Sequence, residues 1–223
     1  MILGDETTDA IARRFLLDGF VVLPNTITPD ATREALNLCE RTAARRNRVR
    51  APVPYELLHR SPLNEIARSK QAQAMLVRLL GEHYATQDIC WFRISPPGGS
   101  AIDRIHRDRP ACDGLPLSVS VDAMLTDFTE QNGATQIWSG TQHSRAGEPR
   151  AANEDAARFL TATPPTAIVG TAGSIVLRDE RAWHRAGVNR TAVNRCMFSS
   201  PGWRSVEART AVGPLQRRRA RPA

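Results

Sequence analysis

The chain has 223 residues, a net charge of +7, 41% hydrophobic and 24% charged residues, 14 Gly and 15 Pro. This composition is globular and large enough for a well-buried core, and it excludes collagenous, coiled-coil and wholly disordered chains. No apolar run approaches the ~20 residues that span a bilayer, and the charged first twenty residues are not a secretory signal.

Positive charge comes almost wholly from arginine, Lys70 being the single lysine. The arginines are dispersed except for Arg217-Arg218-Arg219-Ala220-Arg221, which reads as a solvated basic tail. That dispersal argues against nucleic acid as the main partner. Cys39, Cys90, Cys112 and Cys196 are scattered, with no C-x-x-C pair. Reduced, mostly buried thiols and a cytoplasmic protein are expected.

The first third reads as helical. Thr8 is placed to cap a helix through Leu17 that stops at Gly19, and Gly19–Pro24 reads as a short buried strand. Thr28-Pro29 opens a helix to about Arg46. Ser61-Pro62 opens another, carrying Ile66, Met75, Leu76, Leu79 and Leu80 to a stop at Gly81. The Arg- and Pro-rich stretch from Asn47 to His59 between them reads as a loop.

From Thr86 onward, short apolar or alternating runs are separated by Pro/Gly/Asn clusters. They cover Thr86–Ser95, Ser118–Leu125, Thr135–Trp138, Thr166–Val169, Ser174–Leu177, Ala182–Ala186 and Val193–Ser199, the spacing of a β-sandwich or barrel. Ser144–Leu160 reads as a long loop or a helical insertion. The expected layout is one domain over 1–210, helical over about 1–82 and β-rich over about 86–203, followed by a basic tail at 211–223.

Of the five histidines, His106 and His184 stand out. In His106-Arg107-Asp108 an extended backbone puts the imidazole and the carboxylate on one face, so both reach one metal ion. His184 is the candidate third ligand. Two imidazoles and one carboxylate on one face of a metal suit non-haem iron(II) with open positions. Arg195 follows His184 by eleven residues. Its planar fork suits the distal carboxylate of a metal-bound 2-oxoacid.

These motifs together resemble the phytanoyl-CoA dioxygenase-like iron(II)/2-oxoglutarate oxygenases, over about Asp18 to Pro201. The matching stretches are Asp18–Pro24, Pro96-Pro97-Gly98-Gly99 with His106–Arg109, Asn132-Gly133-Ala134-Thr135 with Gly140-Thr141, Gly173–Leu177, and Trp183-His184 with Asn189-Arg190-Thr191 and Arg195. The resemblance implies a mainly β fold, a double-stranded β-helix (a jelly-roll, cupin-like barrel) buttressed by N-terminal α-helices. It implies iron held by His106, Asp108 and His184, and 2-oxoglutarate held by Arg195 with Thr135 as a further contact. Arg93, on the Trp91-Phe92-Arg93 strand, is a candidate for the co-substrate's inner end. Three positions depart from the family pattern: Ser139 replaces a proline, Gln142 replaces a histidine with His143 displaced by one, and Asp103 lies where a glutamine is usual.

The expected activity is hydroxylation or oxidative ring closure of a small secondary metabolite, using iron(II), 2-oxoglutarate and O2. A glycoside or aminoglycoside fits, with Asp103, Asp113 and Glu130 available to attract a polar or cationic group. The alternatives are acyl-CoA hydroxylation and a non-catalytic nucleic-acid-binding protein on the same fold.

Overall fold

The computed structural model describes residues 7–46, 49–60, 62–86, 89–100, 104–110, 114–116, 118–144, 154–200 and 203–205. Asp103, Cys112, Asp113 and the basic tail lie outside them.

Helix α1 (Thr8–Asp18) is capped by Thr7, one residue before the expected cap, whose hydroxyl accepts from the Ala10 N–H. It ends at Gly19, which adopts φ 80° and returns its N–H to the Phe15 carbonyl. Glycine suits this left-handed conformation, which strains any residue with a Cβ. Strand β1 (Phe20–Leu23) follows, then α2 (Pro29–Arg46) with the Thr28 hydroxyl accepting from the Ala31 N–H.

The stretch read as a loop contains β2 (Arg50–Pro54) and a 3-10 turn over Tyr55–His59. Two prolines masked the strand. They are tolerated because β2 is the edge of its sheet, where a missing N–H breaks no ladder. Ala51 and Val53 are its buried positions.

The single helix expected after Ser61-Pro62 is two, α3 (Leu63–Arg68) and α4 (Lys70–Leu80). Ser69 leaves helical geometry to cap α4, its hydroxyl accepting from the Ala72 N–H at 3.2 Å. Ala72, Met75, Leu76, Leu79 and Leu80 form the buried stripe of α4 at helical spacing. Each buried leucine contributes about 1.5–3 kcal/mol.

The remaining strands are β3 (Tyr84–Thr86), β4 (Ile89–Ser95), β5 (Ser118–Met124), β6 (Thr135–Ile137), β7 (Thr166–Ala167), β8 (Ile175–Asp179), β9 (His184–Ala186), β10 (Arg195–Ser199) and β11 (Trp203–Ser205). Helix α5 (Glu154–Ala162) precedes β7. All pairings are antiparallel. The larger sheet runs β1-β8-β5-β10-β4-β2, with β11 joining β3 to β5; the smaller runs β7-β6-β9.

The larger sheet alternates cleanly. Cys90, Phe92, Ile94, Val119, Val121, Ala123, Ile175, Leu177, Cys196 and Phe198 pack with the helices in one core. The intervening positions face the smaller sheet; there Met124, Val176 and Met197 pack with Ile137 and Ile168, while Arg93, Asp122, Arg178 and Arg195 line a cavity. This two-sheet, helix-buttressed architecture is the double-stranded β-helix.

Candidate active site

The His106 N–H donates to the His184 carbonyl at 2.9 Å, and the His184 N–H donates to the His106 carbonyl at 2.8 Å. This isolated antiparallel bridge sets the two residues directly opposite, with ring centroids 4.3 Å apart. Both flanks are fixed. The Asp108 and Arg109 amides donate to the Glu180 carbonyl at 2.8 and 2.9 Å, and β9 pairs His184 with Ile137 of β6.

The tautomers are set by local bonds. His106 Nδ1 lies 2.9 Å from the Arg104 carbonyl and His184 Nδ1 lies 3.0 Å from the Ala182 carbonyl. A carbonyl only accepts, so each Nδ1 carries the proton and each Nε2 presents its lone pair. Those lone pairs face Asp108: His106 Nε2 is 3.7 Å from Oδ1 and His184 Nε2 is 3.6 Å from Oδ2. One ligand atom from each of the three residues lies within 4.8 Å of the others.

The electrostatics suit a cation. Burial pushes the His106 pKa down, and burial with the Arg178 charge pushes that of His184 well down, so both rings are neutral. Burial would raise the Asp108 pKa, but nearby positive charge, Arg178 foremost and Arg93 with it, outweighs that and holds the carboxyl well below its usual range. His184 Nε2 is buried without a hydrogen-bond partner among the described residues. A buried, unpartnered lone pair beside a carboxylate and a second imidazole is what an iron ligand set presents before metal binds, so the residues fit the metal.

Arg195 stands in the same cavity, 1% exposed. One terminal nitrogen donates to Ser95 Oγ at 2.6 Å, while Nε and the other terminal nitrogen have no partner among the described residues. Burial pulls its pKa down to about 10, which leaves it charged at neutral pH. Asn189 sets its approach. The Asn189 side-chain amide donates to the Ser95 and Val193 carbonyls, and its oxygen accepts from the Thr191 amide and hydroxyl. The Asn-Arg-Thr stretch is thus the turn that returns the chain from β9 to β10.

Thr135 reaches the cavity through a close backbone crossing. Gly133 adopts φ 83°, and a Cβ there would lie 2.7 Å from the Gly187 carbonyl oxygen. Asn132 fixes the preceding turn, accepting from the Thr129 N–H and donating to the Asp127 carbonyl. Ala186 therefore lies opposite Thr135.

All six sequence candidates except Asp108 line this one cavity, about 350 Å³ of empty space partly open to solvent, and Asp108 reaches the two histidines. Five further residues line it, the polar Asp122, Arg178 and Arg185 and the apolar Ala186 and Met197. Asp122 accepts from Ser120 and Ser199, and Arg185 donates to Gln136 Oε1 at 2.7 Å. For Asp122 and Arg178 the sequence signal is the inward phase of the strand alternation; Arg185, next to His184 on β9, has the opposite phase and no such signal. Gln142 and His143 lie elsewhere and bond the Leu16 carbonyl at the end of α1, Gln142 Nε2 at 2.9 Å and His143 Nε2 at 2.8 Å. His59 and His83 are exposed, and Glu130 is exposed in a turn.

The family model for phytanoyl-CoA dioxygenase (PhyH) matches residues 15–197. The chain belongs to this family and is by class an iron(II)/2-oxoglutarate-dependent oxygenase. Three solved structures share the fold. The non-haem α-ketoglutarate-dependent carbocyclase SnoK from nogalamycin biosynthesis is 17% identical with a TM-score of 0.72, covering 91% of this chain and 87% of its own. The epimerase SnoN, solved with Fe3+, α-ketoglutarate and nogalamycin RO, is 17% identical with a TM-score of 0.69, covering 97% and 93%. AviO1 from Streptomyces viridochromogenes Tue57 is 18% identical with a TM-score of 0.73, covering 95% and 99%. Among the described residues no helix is long and apolar enough to cross a membrane.

Proposed function

We propose that His106, Asp108 and His184 hold iron(II), that Arg195 anchors the distal carboxylate of 2-oxoglutarate with Thr135 beside it, and that the enzyme hydroxylates or oxidatively cyclises a small secondary metabolite. The observation that carries this reading is the convergence of two Nε2 lone pairs and one carboxylate, with an under-bonded buried guanidinium in the same cavity. Bound there, iron(II) supplies activation of dioxygen, coupled to conversion of 2-oxoglutarate to succinate and carbon dioxide, and so oxidises a substrate C–H bond.

The chain's own residues do the positioning. The Arg104 and Ala182 carbonyls lock the imidazole tautomers. Arg178 occupies Asp108 Oδ2, leaving Oδ1 for the metal. The Arg195 guanidinium keeps N–H donors on Nε and one terminal nitrogen that have no partner among the described residues, so it can still donate to a carboxylate. Residues 1–210 act as one oxygenase domain in this reading.

The substrate class draws support from SnoK and SnoN, whose descriptions place them in nogalamycin biosynthesis. Four arginines against one aspartate line the cavity, so a glycoside without added positive charge suits it better than a polycationic aminoglycoside.

The test is anaerobic titration of the protein with iron(II) and 2-oxoglutarate, followed by dioxygen uptake and succinate release. Wild type gives a visible charge-transfer band, and His106→Ala and His184→Ala abolish it. A band and oxygen uptake that survive His106→Ala overturn the assignment.

A further inference from the structure

Arg50 and Arg93 face each other across the β2–β4 ladder. Directly opposed residues of an antiparallel pair point to the same face about 5 Å apart, and like charges there repel. The face is the one lining the cavity, since Arg93 is among its walls. Arg50 lies over Trp91, its guanidinium carbon 3.9 Å from the ring centroid. The Nε of each arginine is buried with no hydrogen-bond partner among the described residues.

A half-buried like-charge pair at a sheet edge, with both Nε atoms out of reach of water, costs stability unless something neutralises it. Burial and the Arg93 charge both lower the Arg50 pKa, and Arg104 adds to the same positive field. The carboxylate that opposes them, Asp108, already pairs with Arg178 and faces the histidines. The unmet requirement is for a further negative charge.

We infer that Arg50 and Arg93 form a subsite for an anionic group, a phosphate or a carboxylate, carried by the primary substrate and separate from the Arg195 anchor. Two guanidinium groups presented on one face can hold an oxyanion through charge-assisted hydrogen bonds, which gives Arg93 to the substrate rather than to the co-substrate's inner end. The inference rests on the oxygenase reading, because it takes Arg195 and the metal to be occupied by 2-oxoglutarate when the substrate arrives.

The experiment loads the protein anaerobically with iron(II) and 2-oxoglutarate and titrates it at constant ionic strength by calorimetry. One arm uses inorganic phosphate and the other acetate. The expected result is saturable binding of at least one anion, weakened at least tenfold by Arg50→Gln and by Arg93→Gln. Arg50→Lys falls between, and Arg33→Gln, at an exposed ion pair on α2, matches wild type. The tighter arm identifies the substrate group. The saturating anion also raises the thermal midpoint of wild type but not of Arg50→Gln, which separates lost binding from lost folding. Absence of saturation by either anion, or binding that Arg50→Gln leaves intact, overturns the inference while the charge-transfer band still stands. If the band itself fails to form, the oxygenase reading fails, and the same titration on metal-free protein decides the arginine subsite separately.

Discussion

Arg178 donates to Asp108 Oδ2 at 2.9 Å from a side chain that is almost wholly buried on β8. A second guanidinium nitrogen lies 3.2 Å from His184 Nδ1. Since that Nδ1 already carries a proton toward the Ala182 carbonyl, the second contact packs the ring edge, while the first fixes the carboxylate. Arg178 therefore positions Asp108 and His184, two of the three proposed metal ligands. Arg178→Gln is expected to weaken iron(II) or cobalt(II) binding by about 10–100-fold, the usual cost of losing an outer partner. Direct metal titration with circular dichroism as a fold control checks this; unchanged affinity would remove Arg178 from the site's support.

Arg195 is tested through the co-substrate. Truncating one partner of a buried, hydrogen-bonded charge pair costs about 2–5 kcal/mol. Arg195→Gln should therefore weaken 2-oxoglutarate binding by at least ~30-fold, with iron affinity retained. Arg195→Lys should recover part of the loss, because the charge remains and the fork does not. Titration of the visible band with 2-oxoglutarate reads both variants.

Stability of the metal-free protein should fall on acidification in two steps. The His106 and His184 pKa values are lowered in the folded state relative to 6.5. The unfolded chain then binds more protons below that value, so their contribution is present above about pH 6.5 and lost as pH falls toward the folded values. Asp108 is also held low, so its contribution is present above about pH 4 and lost only in stronger acid. Thermal midpoints across pH 8 to 5 should decline, and His184→Asn should flatten that decline. Iron affinity of the folded protein should hold through that window and fall only once pH reaches the lowered folded values, where protons compete for the Nε2 lone pairs.

Gly133→Ala combines strain at φ 83° with a Cβ placed 2.7 Å from the Gly187 carbonyl oxygen. Backbone cannot yield as a side chain can, so a loss of about 1–3 kcal/mol is expected. Thr135 and Ala186 would also move apart. Calorimetry should show the lower midpoint, and 2-oxoglutarate affinity should drop with it.

The convergence of His106, Asp108 and His184 is legible because His-x-Asp is a local pattern and His184 and Arg195 are joined by one short turn. Arg178, Asp122 and Arg50 are not. An inward-pointing arginine on a strand looks like any solvated one until the opposing sheet is known. The two prolines of β2 suggested a loop, although Ala51 and Val53 already carried the alternation of an edge strand. Ser69 was overlooked because the apolar stripe of α4 aligns well enough with Ile66 to suggest one continuous helix.

With the reciprocal backbone bridge between His106 and His184, a metal held by the proposed ligands would be a clasp across two remote stretches of chain. The same two residues that would donate electrons to iron hold each other by their amides, so loading the site tightens a rung of the ladder. Deuterium uptake at those two amides thus becomes a readout of occupancy that needs neither substrate nor oxygen.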